Sequence, residues 1–226
     1  MARGVEVHLR QSAVAGAVEV IESGGIAGLI LSAGASRRMG TPKALLQYEG
    51  ETFLDRLIRI FSAVCSPVVV VLGYHSQIIR QGLRPHAGVR FATNPDPDRG
   101  MFSSLQCGLA MIPPEMQAVM FTPVDHPDIA EDTVERLAGL FRSQAAPLTI
   151  PVYQREHGHP VCISRAVINH LTSLPVTANA NDILHSYYEN ASFIEIADPG
   201  IVSDIDDPDA YRQLLSKARP RQTTTP

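Results

Sequence analysis

The chain has 226 residues, 45% of them hydrophobic and 19% charged, the balance of a globular protein whose core needs no disulfide staples. Its formal net charge is −4 with the basic residues scattered, which argues against a nucleic-acid surface, where a clustered basic stripe is expected, but not against one small anion held by a few arginines. Cys65, Cys107 and Cys162 lie far apart and form no CxxC pair, as reduced thiols do.

No run reaches the roughly 18 apolar residues of a membrane span. The charged N-terminus (Arg3, Glu6, His8, Arg10) lacks a signal peptide's apolar segment. A cytoplasmic protein without membrane attachment is expected. Residues 1–25 read as an extension, helical over Val5–Ser23 and punctuated by Ser23-Gly24-Gly25. From Ile26 on, strands and helices alternate. Strands are predicted over Ile26–Leu31, Pro67–Gly73, Val89–Ala92, Ala118–Phe121, Leu148–Val152 and Phe193–Ile196. Helices are predicted over Thr52–Val64, His75–Gly82, Phe102–Met111, Glu131–Phe141, Ser164–Leu171, Asn181–Tyr188 and Pro208–Leu215. Residues 218–226 read as a disordered polar tail. Continuous apolar strands separated by helices predict an α/β fold with a mostly parallel sheet covered by helices on both faces, one domain over 26–217. Ligands of such sheets sit at the carboxyl ends of the strands, near a switch in strand order.

After the first strand comes "SAGASRRMGTPK". Gly34 and Gly40 are expected where side chains would forbid the backbone. Ala33, Ala35 and Ser36 are small enough for main-chain N–H groups to approach an anion, while Arg38 and Lys43 add fixed positive charge. The loop is neither a Walker A sequence nor a GxGxxG turn; a tight strand-to-helix turn with solvated arginines would use the same residues. After the strand "AVMF" comes "TPVDHP", with Asp125 placed as a hard-oxygen ligand for Mg²⁺ or as a helix cap; Asp128 is itself a plausible cap for the following helix. In "SDIDDP", Asp207 before Pro208 fits N-cap chemistry, leaving Asp204 and Asp206 for a second metal carboxylate or a solvated acidic turn. In Asn94–Leu109, Gly100, Ser103 and Ser104 open a helix whose N–H and hydroxyl groups suit an anion, a base edge or simple capping. "REHGHP" at Arg155–Pro160 begins a β-hairpin. A pocket-lining role suits it better than zinc held by His126, His157 and His159, since no cysteine cluster supports zinc.

The ordered set "LSAGASRRMGTPKALL", "NPDPDRGMFSSLQCGL", "TPVDHP", "HGHPV" and "VSDIDDPDAY" resembles the nucleotidyltransferases that attach a nucleotide to molybdopterin, and most of all the molybdenum cofactor cytidylyltransferases. It covers about Ile26 to Leu215. The resemblance implies a Rossmann-like three-layer nucleotidyltransferase fold with a small β-hairpin insertion and an NTP bound with Mg²⁺ (or Mn²⁺), with Leu31, Ser32, Ala33, Gly34, Ser36, Arg38 and Lys43 at the nucleotide. It brings Asn94, Gly100, Ser103, Ser104 and Asp125 to the same ligand. Arg38, Lys43 and Asp125 are the implied catalytic residues and Asp125 and Asp206 the metal ligands. Gly158, His159 and Pro160 face the acceptor, a phosphorylated pterin cofactor. Ala33-Gly34 matches the cytidylyl branch, where the guanylyl branch has Gly-Gly, so CTP is the implied donor. The implied partner is a molybdoenzyme, and the chain a monomer or weak dimer.

Two departures stand out. The family's Asp-Met-Pro is Asp125-His126-Pro127 here. "TANANDIL" at Thr177–Leu184 replaces its Gly-Asp-x-Gly-Ala-Arg stretch, which concerns the acceptor more than the NTP. The implied chemistry is attack of an acceptor phosphate on the α-phosphorus, with pyrophosphate leaving. Rival readings are guanylyl transfer, transfer to a sugar or polyol phosphate on the same fold, and a non-catalytic molybdenum cofactor chaperone.

Overall fold

The computed structural model describes residues 25–144 and 146–217. The expected N-terminal helix and polar tail lie outside the described residues. In chain order, β1 (Ile26–Ser32) leads through a long loop and one 3-10 turn (Lys43–Leu45) to a small hairpin, β2 (Gln47–Tyr48) and β3 (Glu51–Thr52). There follow α1 (Phe53–Ser62), β4 (Val68–Leu72), α2 (Ser76–Gly82), β5 (Val89–Thr93), α3 (Met101–Leu109), β6 (Ala118–Pro123) and α4 (Glu131–Ser143). The chain then forms β7 (Leu148–Tyr153), β8 (Glu156–His157), β9 (Val161–Ser164), α5 (Arg165–Ser173), α6 (Ala180–His185), β10 (Ser192–Glu195) and α7 (Pro208–Lys217).

The main sheet runs β10-β7-β9-β6-β1-β4-β5, with β8 paired to β7. The β1/β4, β1/β6, β4/β5 and β7/β10 pairs are parallel. Only the short β9, wedged antiparallel between β6 and β7, and the β8 hairpin strand depart from that. β1 is buried along its whole length, as a central parallel strand must be. Its alternate residues feed two cores. Ile26 and Ile30 join Phe53, Leu57, Phe61, Leu137 and Phe141 on one face. Leu29 and Leu31 join Leu105, Val167 and Leu171 on the other. Helices therefore cover both faces, giving the expected three layers.

Two local expectations need correction. α1 starts after Thr52, whose hydroxyl accepts the Asp55 N–H at 3.0 Å as a side-chain N-cap. Asp128 does not cap α4: its carboxylate accepts the Tyr48 hydroxyl at 2.5 Å. The remote Asp198 instead accepts from the Ala130 N–H (3.0 Å) and the Thr133 hydroxyl (2.8 Å). Asp207 caps α7 as expected, accepting from the Asp209 and Ala210 N–H groups at 2.9 Å.

β1 lies between β4 and β6, and the chain goes to one side of it before returning to the other. That is the switch in strand order where a crevice opens, and it sets the loops after β1 and β6 side by side.

Candidate functional site

The loop after β1 is held by its own hydrogen bonds. The Ser36 hydroxyl accepts the Lys43 N–H at 3.0 Å, and the Ser36 carbonyl accepts the Met39 N–H at 3.0 Å. Ser36 sits in the left-handed region (φ 50°), a costly conformation for a residue with a Cβ. Gly40 takes φ 66° as expected, but Gly34 does not need its freedom. A Cβ at Gly34 would meet nothing within 4 Å, so its bareness leaves room rather than relieving strain. Beneath the loop, a Cβ on Gly73 would come within 2.7 Å of the Ala33 carbonyl oxygen. The neighbouring Tyr74 N–H donates to that oxygen at 3.2 Å. Only a 3-10 turn follows the loop, so positive charge comes from side chains rather than from a helix dipole.

Those side chains meet the two predicted carboxylates. Lys43 Nζ donates to Asp206 Oδ1 at 2.6 Å and to Asp125 Oδ2 at 3.0 Å. Arg38 reaches Asp206 Oδ2 at 3.7 Å. Asp125 stands two residues past β6. Asp206 is brought to it from the far end of the chain by a backbone tether: the Ile205 N–H donates to the Asp125 carbonyl at 2.8 Å. Burial alone would lower the Lys43 pKa, but hydrogen bonds and charge from Asp206 and Asp125 outweigh it and the net shift is upward. The Lys43 hydrogen bond in turn holds the Asp206 carboxyl below its ordinary value. Two carboxylates converging on one cation are a hard-oxygen set that fits Mg²⁺, which takes one or two carboxylates and completes its shell with phosphate and water. Among the described residues no cluster of three His, Cys, Asp or Glu offers a full protein cage. The zinc alternative finds no third ligand, since His157 packs instead on Phe193 and Tyr188.

These groups open on a cavity of about 520 Å³. Leu31 to Gly34, Ser36, Arg38 and Lys43 form part of its wall; Gly100 and Ser104 form another, and Asp125 and Asp206 a third. Asn94 and Ser103 stand behind Ser104: the Asn94 amide donates to Ser103 Oγ (2.8 Å) and Ser104 Oγ (3.0 Å). The Ser103 hydroxyl donates to the Gly100 carbonyl (2.7 Å), at the φ 90° residue that opens α3.

A second cavity, of about 190 Å³, shares Leu31 and Met101 with the first. Gly158 and His159 line it, and Pro160 is buried beside them behind a cis peptide bond. A Cβ at Gly158 would lie 2.6 Å from the Ile201 carbonyl oxygen, so the hairpin packs tightly there. The His159 and His126 rings lie 4.9 Å apart, each with Nδ1 shielded from solvent and unpartnered. Burial pushes His159 down to about 3 and also lowers His126, so both rings are neutral near pH 7. The rest of this wall was legible only in part: Asn181 falls in the Thr177–Leu184 stretch that the resemblance ties to the acceptor, whereas His185 and Tyr188, on the same short helix and the turn after it, bore no mark of a site.

The model of the MobA-like NTP transferase domain matches residues 28–191. The molybdenum cofactor cytidylyltransferase of Escherichia coli (strain K12) is 26% identical over 185 residues, 81% of this chain and 92% of that protein. A probable molybdenum cofactor guanylyltransferase of Bacillus cytotoxicus is 27% identical over 119 residues, 50% of this chain and 56% of its own length. The crystal structure of Rv0371c from Mycobacterium tuberculosis H37Rv superposes with a TM-score of 0.75 at 27% identity, covering 86% of this chain and 98% of that one; its manganese complex gives 0.71 at 25% identity, covering 85% and 99%. With the loop after β1, the serines of α3 and Asp125 all inside the matched span, the chain belongs to the MobA-like NTP transferase family and is a nucleotidyltransferase.

Proposed function

We propose that this enzyme transfers CMP from CTP to the terminal phosphate of a molybdopterin-type cofactor, with Mg²⁺, and releases pyrophosphate. Mn²⁺ is the expected substitute. The convergence of Lys43, Asp125 and Asp206 at the mouth of the loop after β1 carries the reading. Residues 26–217 form the NTP transferase domain in this reading. The triphosphate lies along Ala33–Lys43, where Arg38 offers a planar fork and Lys43 a compact charge to phosphate oxygens. Asp125 and Asp206 would hold the cation, which when bound neutralises charge between the α-phosphate and the leaving group. An acceptor phosphate oxygen then bonds to the α-phosphorus and the bond to the β-phosphate oxygen breaks. Pyrophosphate leaves with that electron pair. The acceptor phosphate is already ionised near neutral pH, so positioning and charge neutralisation suffice and no strong general base is needed. Gly158, His159 and Pro160 stand on the acceptor side, and a molybdoenzyme is the expected recipient of the product.

CTP is favoured by Ala33-Gly34 and by the nearly full-length match to a cytidylyltransferase. Guanylyl transfer is the second reading, favoured by the guanylyltransferase relatives. Thermal melts with CTP, GTP, ATP and UTP, each with Mg²⁺, separate them. CTP at a hundredfold over its Kd adds about 2.7 kcal/mol of stability and should raise Tm most. Preferential stabilisation by GTP overturns the base assignment.

A further inference from the structure

The second cavity differs from the first in a way that the family match does not assign. No lysine, arginine, aspartate or glutamate lines it. Leu105, Phe121, Ile150 and Val161, all buried, supply apolar wall. His157, Asn181, His185 and Tyr188 supply rings and one amide. A phosphate or a polyol would leave charge or hydroxyl groups unpaired against such a wall. A flat, neutral, fused heterocycle suits it, with apolar faces and hydrogen-bonding edges.

The Tyr188 ring is held in place before any ligand arrives. It meets His185 edge-on at 4.5 Å (88°), Phe193 at 5.2 Å (86°) and His157 at 5.4 Å (76°). His157 in turn stacks on Phe193 at 5.0 Å and 27°, and the Tyr188 hydroxyl is 3.3 Å from His157 Nδ1. A ring fixed from three sides loses little freedom on binding, which favours stacking on a planar ligand. The Asn181 side chain accepts and donates no hydrogen bond among the described residues, its backbone N–H going to Asn179 Oδ1 at 3.0 Å. An amide offers one acceptor and two donors to a heterocycle edge. The cavities adjoin at Leu31 and Met101, so a ring in the smaller one can extend its phosphate arm toward Lys43.

We propose that Tyr188 and Asn181 are the acceptor-selecting residues of this enzyme: Tyr188 stacks on the acceptor's pterin ring and Asn181 reads its edge. The proposal rests on the pterin-acceptor reading above.

The test uses the full chain and 6-hydroxymethylpterin, a pterin with no phosphate, followed by quenching of its fluorescence, with CTP–Mg²⁺ melts run on the same proteins. Wild type should quench the pterin. Tyr188→Ala should weaken that binding at least about fivefold, the lower end of aromatic stacking on a nucleobase, and Tyr188→Phe should rescue it. Asn181→Ala should weaken it as well. In turnover both alanine variants should raise the KM for the pterin acceptor and leave the KM for CTP unchanged, a split that a merely structural role would not produce. A wild type that does not quench the pterin would overturn the pterin-acceptor reading on which the proposal rests. With a quenching wild type, unchanged pterin binding in Tyr188→Ala, or a shift in CTP binding instead, would overturn the proposal itself, the last because the cavity would then hold the nucleobase, so the two failures are distinct.

Discussion

The larger cavity is walled by charge: an ammonium (Lys43), two guanidiniums (Arg37 and Arg38) and two carboxylates gathered by loops at the strand ends. The smaller one has no fully charged side chain in its wall and is shaped by imidazole, phenol and aliphatic groups. Yet the two meet at Leu31 and Met101. The difference teaches a division of labour. In the proposed reading, charge binds phosphates whatever groups they carry, and one face of the fold can keep that charge fixed while the other changes its walls to suit the acceptor. Substitutions on the two sides should then separate turnover from acceptor recognition.

The sharpest break comes at Asp125. Asp125→Ala should lower kcat by about 10³-fold, the scale of losing a preorganised electrostatic contact. It should leave the circular dichroism spectrum and pterin quenching as in wild type. Turnover in Mg²⁺ within a few fold of wild type would erase the distinction between the two sides. Gly158→Ala attacks the other side. Its new Cβ would lie 2.6 Å from the Ile201 carbonyl oxygen, a backbone atom that cannot swing away. A loss of about 1–3 kcal/mol in urea unfolding and a raised acceptor KM are expected, with CTP–Mg²⁺ stabilisation intact.

The smallest effect is on acid stability. Lys43 holds the folded Asp206 pKa below its ordinary value. That pair therefore contributes stability at pH above the unfolded carboxyl's pKa, and the contribution is lost as pH falls through the lower folded value. The Asp206 side chain is 43% exposed, so solvent screening keeps the effect within about 1 kcal/mol. Asp206→Asn should lose less stability between pH 7 and pH 3 than wild type does; equal slopes in the urea midpoint would remove the ion pair from the account.

The charged side was the more legible in sequence. A β-branched or apolar run followed by small residues, or by an aspartate, places a side chain at a strand's carboxyl end, and the strand-order switch does the rest. Capping by Asp207 left Asp204 and Asp206 both to be explained, and the family resemblance, not spacing, singled out Asp206. The uncharged side left less trace, because His157 arrives from the β8 hairpin while Asn181 and Tyr188 come from one short helix and the turn after it. The same limit explains Asp128 and Asp198. A local cap is readable from spacing, but a carboxylate arriving from Asp198, 68 residues from the Ala130 N–H it accepts, is not. β9 escaped notice because four residues carry too little pattern. The Ser36 backbone at φ 50° contradicts the usual preference for glycine there.

Asp206 reaches Lys43 across 163 positions of sequence, held there by the Ile205 N–H on the Asp125 carbonyl, by buried Ile205 and Leu214 and by the Tyr211 ring against Phe53. During synthesis, the β1 loop and Asp125 leave the ribosome well before this segment. A nascent chain can thus form its β1 loop and the strands up to β9 while β10 and its second acidic arm are still inside the exit tunnel. In the proposed reading, nucleotide chemistry waits for the docking of a segment that also closes the core with Ile201, Ile205 and Leu214, so a chain clipped ahead of it should lose stability together with turnover.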